Sequence, residues 1–160
     1  MSLVMVDLEG TLSDHTDRLA ILQATTAADP RNREAWKIYY KGLPDDEPRP
    51  QVLLAVKTWI EAGCYILVYS TRFKNKYGHE EEWLRGHELF DKVILRQRDQ
   101  WETRIEGPDL VSEWAVRDNP HILIDDREEV RDKVKHWCPD TMVLAPEDFP
   151  YEGQRHDPTV

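Results

Sequence analysis

Cysteine is scarce: Cys64 and Cys138 are the only two in 160 residues, and their spacing is not that of metal ligands. This excludes a disulfide framework and fits a reducing, cytoplasmic setting. No apolar run approaches the roughly 20 residues that a membrane-spanning helix needs. No basic stretch precedes the apolar run at the N-terminus, so no secretory signal is expected. Positive charge is also short. Lysine and arginine number 21 against 31 aspartates and glutamates, a formal net charge of -10. The overall field therefore does not attract polyanions, and a nucleic-acid substrate would need a local basic patch. There is no glycine-rich GK[ST] loop, which excludes a P-loop kinase. No internal repeat or low-complexity segment is visible.

What is present is the composition of one folded domain, 40% hydrophobic and 32% charged. Its expected extent is residues 1–151, followed by a loose tail at 152–160. Apolar runs at Leu3–Val6, Tyr65–Tyr69, Val93–Leu95, His121–Ile124 and Thr141–Ala145 read as strands. Amphipathic stretches alternate with them. "DRLAILQAT", "REAWKIYYKGL", "PQVLLAVKTWIEAG", "EEEWLRGHELF", "PDLVSEWAV" and "EEVRDKVKHW" read as helices. Pro50 is placed to open the third of these and Gly63 to close it. Strand–helix alternation implies an α/β fold with a mostly parallel central sheet covered on both faces.

Three strands end in chemically loaded residues. The first gives Asp7 and Glu9, followed by Gly10 and Thr11; the second gives Ser70, Thr71 and Arg72; the fourth gives Asp125 and Asp126. In open α/β sheets ligands bind at the carboxyl ends of the strands, so these residues should converge. Crowded carboxylates are unfavourable unless a cation lies between them, and a hard oxygen set suits Mg²⁺. One carboxylate beside such a cation can attack phosphorus, and a second can protonate the leaving oxygen. A serine and an arginine can hold phosphate oxygens.

The strings "DLEGTL", "YSTR" and "ILIDD" resemble the first, second and fourth motifs of the haloacid dehalogenase superfamily of Mg²⁺-dependent phosphatases. The finer likeness is to the 3′-phosphatase domain of phage polynucleotide kinases, whose acid pair is followed by "DR" as in "DDREEV". The resemblance covers residues 3–149. It implies a Rossmannoid three-layer fold in which residues 14–50 form a small helical cap over the site. It also implies that Asp7 is the nucleophile and a metal ligand, and that Glu9 is the acid/base with its backbone carbonyl on Mg²⁺. Asp125 and Asp126 would complete the metal site. Thr11 would support the first loop beside the substrate. Ser70, Thr71 and Arg72 would hold the phosphate.

Two departures stand out. The superfamily has Asp where Glu9 stands. It also has a lysine before the helix that precedes the paired aspartates, and "QRDQWETRIEGPDLVSEW" contains none. Arg104 is the nearest cation in that segment, and Arg96, Arg98 and Lys92 lie further off. The expected substrate is the 3′-phosphate of a nucleic-acid end. The alternatives are a nucleotidase or other small-molecule phosphatase, and a catalytically weakened module that binds phosphate or nucleotide.

Other features read more plainly. The basic string with Arg72, Lys74 and Lys76 suits a phosphate-rich substrate. The six histidines read as surface or helix positions, and Trp36, Tyr39 and Tyr40 as packing along a helix face. "HEEEW" reads as a solvated face.

Overall fold

The computed structural model describes residues 2–73 and 78–149; the tail expected at 152–160 and the lysines at 74 and 76 lie outside the described residues. Five strands form one sheet: β1 (Leu3–Asp7), β2 (Tyr65–Phe73), β3 (Ile94–Arg98), β4 (Ile122–Ile124) and β5 (Met142–Leu144). Their order is β3-β2-β1-β4-β5, and every pairing is parallel. Central strands in such a sheet are buried on both faces, which is why they read as continuous apolar runs.

Strand periodicity sorts the core into two layers. Val4 and Val6 of β1 and Val68 of β2 meet Val52 and Val56 of α3 (Pro50–Glu61) and Trp83 and Leu84 of α4 (His79–Gly86). Met5, Leu67 and Leu123 point the other way. They meet Leu110 and Trp114 of α5 (Gly107–Asp118) and Val130 and Val134 of α6 (Glu128–Trp137). Three layers result, as the alternation of elements implied.

From β1 the chain runs outward through β2 to β3, then returns to the other side of β1 for β4 and β5. The switch point therefore lies at the carboxyl end of β1. There, Asp7 is in register with Tyr69, and Val6 with Ile124. Ser70 and Asp125 are thus the next residues on the flanking strands.

Between β1 and α3 the chain makes an excursion. Helices α1 (Thr16–Thr26) and α2 (Arg33–Lys41) pack on each other through Leu22, Ala35 and Tyr39, and a 3-10 turn follows at Leu43–Asp45. Asn32 caps α2 by accepting from the Ala35 amide at 3.2 Å. The excursion is clasped at its base. Asp14 N donates to Glu47 O at 2.7 Å, Arg49 N donates to Leu12 O at 2.9 Å, and Ser13 forms an antiparallel bridge with Pro48.

Several boundaries differ from the sequence reading, among them that of β3, which runs on to Arg98. The helix expected through Phe90 stops at Gly86, Glu88 is left-handed (φ 59°), and a 3-10 turn follows at Phe90–Lys92. Glycine is a poor helix former and permits this exit. Strand β2 continues to Phe73, with its register on β3 shifting between Ser70 and Phe73. The phosphate-type residues thus sit in an irregular strand end, where bulges commonly re-aim side chains beside active sites. Both cysteines are free. No helix among the described residues is long and apolar enough to cross a membrane.

Candidate active site

Asp7 is the last residue of β1 and shares a sheet face with Met5, because side chains alternate along a strand. Asp125 shares that face with Leu123 for the same reason. The carboxyl groups of Asp7, Asp125 and Asp126 each offer an oxygen, and these oxygens lie within 4.8 Å of one another. Asp7 and Asp125 are buried, at 5% and 0% exposure. Burial, and then the charge of Asp125, pushes the Asp7 carboxyl well above the usual carboxylate range. Burial likewise raises Asp125, against the lowering pull of Arg127. These are hard oxygen donors whose ionisation a divalent cation would relieve, so the residue set fits Mg²⁺.

Thr11 ties two of these acids together. Its Oγ1 lies 3.0 Å from Asp7 Oδ2 and 3.1 Å from Asp126 Oδ1, and accepts from the Asp126 amide at 2.9 Å. Thr11 is fully buried, so it braces the loop from beneath and has no surface left for substrate. Gly10 has φ +83°, and a Cβ there would lie 2.5 Å from His15 Nε2 and 2.6 Å from Asp126 Oδ2. Position 10 thus needs glycine for its backbone conformation and for the closeness of the site around it.

The cation beside the acids is Arg127. Its Nε and Nη2 hold Asp125 Oδ1 and Oδ2 at 3.0 and 2.9 Å, and Nη2 is 3.9 Å from Asp7 Oδ1. Arg104, expected here, is exposed and lines a different cavity with Ile105, Glu106 and Trp137. A 3-10 turn at Gln100–Glu102 separates β3 from Arg104. Arg98 is turned inward, donating to Thr71 O at 2.7 Å, and Arg96 pairs with Asp118. Arg127 was legible only as the "DR" that follows the acid pair.

Glu9 stands apart from the metal-capable cluster. Its Oε1 accepts from Arg72 Nη1 at 2.6 Å and its Oε2 from Arg18 Nη2 at 3.0 Å. Each guanidinium also lies over a tyrosine ring: Arg18 over Tyr39 at 4.3 Å and Arg72 over Tyr40 at 4.1 Å. Arg18, from α1, carried no sequence signal of its own.

An open pocket of about 430 Å³ exposes this constellation. Its floor includes Asp7, Glu9, Ser70, Thr71, Arg72, Asp126 and Arg127, and its far wall includes Trp36, Tyr39 and Tyr40. The three aromatic residues therefore line the site as well as packing along α2. His15, read as a surface or helix position, is also in the wall. Its Nδ1 pairs with Tyr39 OH at 2.8 Å and its Nε2 lies 3.7 Å from Asp126 Oδ2. Burial lowers the His15 imidazole below its ordinary value. Asp7, Asp126, Arg72 and Arg127 thus line one pocket, with Asp125 paired to Arg127 and Arg18 paired to Glu9 beside it.

No family model matches the chain, and no curated protein matches it. Solved structures share its fold. A chain of the Pnkp1/Rnl/Hen1 RNA repair complex is 20% identical, with a TM-score of 0.61, over 91% of this chain and 42% of that one. A haloacid dehalogenase-like family hydrolase from Streptococcus pneumoniae is 12% identical, with a TM-score of 0.57, over 92% and 96%. A haloacid dehalogenase-superfamily hydrolase from Ehrlichia chaffeensis is 14% identical, with a TM-score of 0.50, over 89% and 85%. This chain spans less than half the length of the RNA-repair chain. The fold is haloacid dehalogenase-like, as the strand-end motifs implied.

Proposed function

We propose that this chain is a Mg²⁺-dependent phosphomonoester phosphatase that works through an aspartyl-phosphate on Asp7. The observation that carries this reading is the position of Asp7: buried at the switch point, within 4.8 Å of two further acids, with cations facing the same pocket. An Asp7 oxygen attacks phosphorus, the bond to the leaving oxygen breaks, and Glu9 gives that oxygen a proton. Glu9 then takes a proton from the water that cleaves the intermediate, releasing phosphate and restoring Asp7. Arg18 and Arg72 hold phosphoryl oxygens, with Ser70 as a hydroxyl partner. Arg127 offsets charge at Asp7 and Asp125. Asp7, Asp125 and Asp126 would hold the metal, which when bound supplies positive charge against the phosphoryl oxygens and the crowded carboxylates. Helices α1 and α2 act as the cap.

For the substrate we favour the 3′-phosphate of a nucleic-acid end. The aromatic wall beside the arginines suits a phosphate attached to a base-bearing sugar, and the fold is shared with a chain of an RNA repair complex. The net charge of -10 favours a second reading, a mononucleotide, which needs less positive surface.

Phosphate release tests both. The substrates are a 3′-phosphorylated oligonucleotide, a set of nucleoside monophosphates and p-nitrophenyl phosphate, each with Mg²⁺, with chelator and with Asp7→Asn. Release that requires Mg²⁺ and Asp7 is expected, fastest on the oligonucleotide. Release no greater than that of Asp7→Asn on every substrate would remove the enzymatic reading and leave a phosphate- or nucleotide-binding module.

A further inference from the structure

Glu80 contradicts its sequence context. It opens a run of three glutamates at the start of α4 that reads as solvated, yet it is 1% exposed. Neither of its carboxylate oxygens has a hydrogen-bond partner among the described residues. A buried carboxylate left without hydrogen bonds costs free energy, so its presence needs a reason. Its one ion-pair partner among the described residues is Arg72, whose Nη1 lies 3.7 Å from Oε1.

That contact ends a chain of alternating charges. Asp46 pairs with Arg18 at 2.7 Å, Arg18 with Glu9 at 3.0 Å, Glu9 with Arg72 at 2.6 Å, and Arg72 with Glu80 at 3.7 Å. The five residues come from the loop after the 3-10 turn, α1, the loop after β1, β2 and α4. The central anion is Glu9, the one with a chemical task in the reading above. If Glu9 turns to a leaving oxygen, or a phosphate takes its place, both arginines lose their central partner. Arg18 is still gripped by Asp46 through Nε and Nη2, at 2.8 and 2.7 Å. Arg72 keeps the Tyr40 ring, a 3.4 Å contact to Tyr40 O, and Glu80. Glu80 alone among these carries charge.

We propose that Glu80 is a positioning residue. It holds the Arg72 guanidinium at the pocket when a phosphate replaces the Glu9 carboxylate between the two arginines. The proposal rests on the anion-binding role given to Arg72 above. Glu80 reaches no substrate atom; it acts through the arginine. Its lack of hydrogen bonds matches a counter-ion that draws closer to Arg72 as Glu9 lets go.

The sign of the effect separates this role from a simple charge effect. Removing a negative charge near an anion site should tighten anion binding through Coulomb's law alone. Losing the arginine's anchor should weaken it. The test titrates inorganic phosphate into the full chain by calorimetry, in the native protein, Glu80→Gln, Arg72→Ala and the double variant, with thermal melts of each. Glu80→Gln is expected to weaken phosphate about tenfold and to raise KM with kcat little changed. In the Arg72→Ala background it should have no further effect. Unchanged or tighter phosphate binding in Glu80→Gln, or an equal effect in both backgrounds, would overturn the proposal. If Glu80→Gln does not fold, Glu80→Met takes its place, and failure of both to fold would assign Glu80 to the architecture instead. Native protein that binds phosphate through Arg72 but releases none from any ester would sink the phosphatase reading while leaving the titration to decide Glu80. Native protein that does not bind phosphate through Arg72 overturns both.

Discussion

Arg127 grips Asp125 with two parallel contacts, at 3.0 and 2.9 Å, from within the same short loop. The fork also brings Nη2 to 3.9 Å from Asp7, which makes position 127 the source of positive charge at the proposed nucleophile. Arg127→Lys keeps the charge and loses the fork, so kcat should fall about 10²-fold, as when a preorganised donor is removed. Arg104→Ala should leave the rate within about twofold, as for other surface changes. Steady-state kinetics on the two variants, with melting curves, checks the assignment.

Glu9→Gln separates chemistry from anion binding. The rate should drop about 10²-fold with the loss of the proposed acid/base. Inorganic phosphate should bind more tightly, because Arg18 and Arg72 would no longer face a fixed carboxylate. Single-turnover rates and phosphate inhibition constants measure the two effects independently.

The raised Asp7 and Asp125 carboxyls make a pH statement. A group whose folded value lies above its unfolded value contributes stability below the unfolded value, and loses it as pH rises through the folded one. For Asp7 the unfolded reference is near 3.8. Without metal, acid should therefore relieve this site at a pH where it harms most folds. Asp7→Asn should raise Tm at pH 7 in chelator, with a gain that shrinks as pH falls toward 4. Mg²⁺ at 100 times its Kd should add about 2.7 kcal/mol to the native protein and less to the variant. Calorimetric scans across pH, with and without Mg²⁺, read both.

Trp36 is the most exposed of the three aromatic residues in the wall, at 37%. Trp36→Ala should raise KM for a 3′-phosphorylated oligonucleotide about tenfold, within the usual worth of a stacked base. An aliphatic phosphomonoester should be affected little. Equal effects on both would show that the ring serves packing.

The sheet was legible because the inner parts of its strands are apolar and most of its helices keep a clear face, whereas β3 was read only as far as Leu95 because it ends in Arg-Gln-Arg. Asp7, Ser70 and Asp125 were legible as a group because parallel register brings strand ends together. Arg18 and His15 were not. They reach the pocket from an excursion whose packing depends on how two short helices meet, which no local pattern records. Arg104 lies in another cavity because proximity in sequence to a motif does not fix which way a loop side chain points. Glu80 misled for another reason: three adjacent glutamates in a helix face different directions, and composition cannot tell which one turns inward.

The clasp at Ser13 and Pro48 has a consequence for how such a fold can change. The chain leaves the sheet and returns to it at one tied point, so the length of what lies between is nearly invisible to the strands. Lengthening a closed loop costs free energy only logarithmically. The excursion can thus be exchanged for a longer or shorter one while the carboxylates stay in place. A lineage could alter which molecules enter without rebuilding the machinery that meets them.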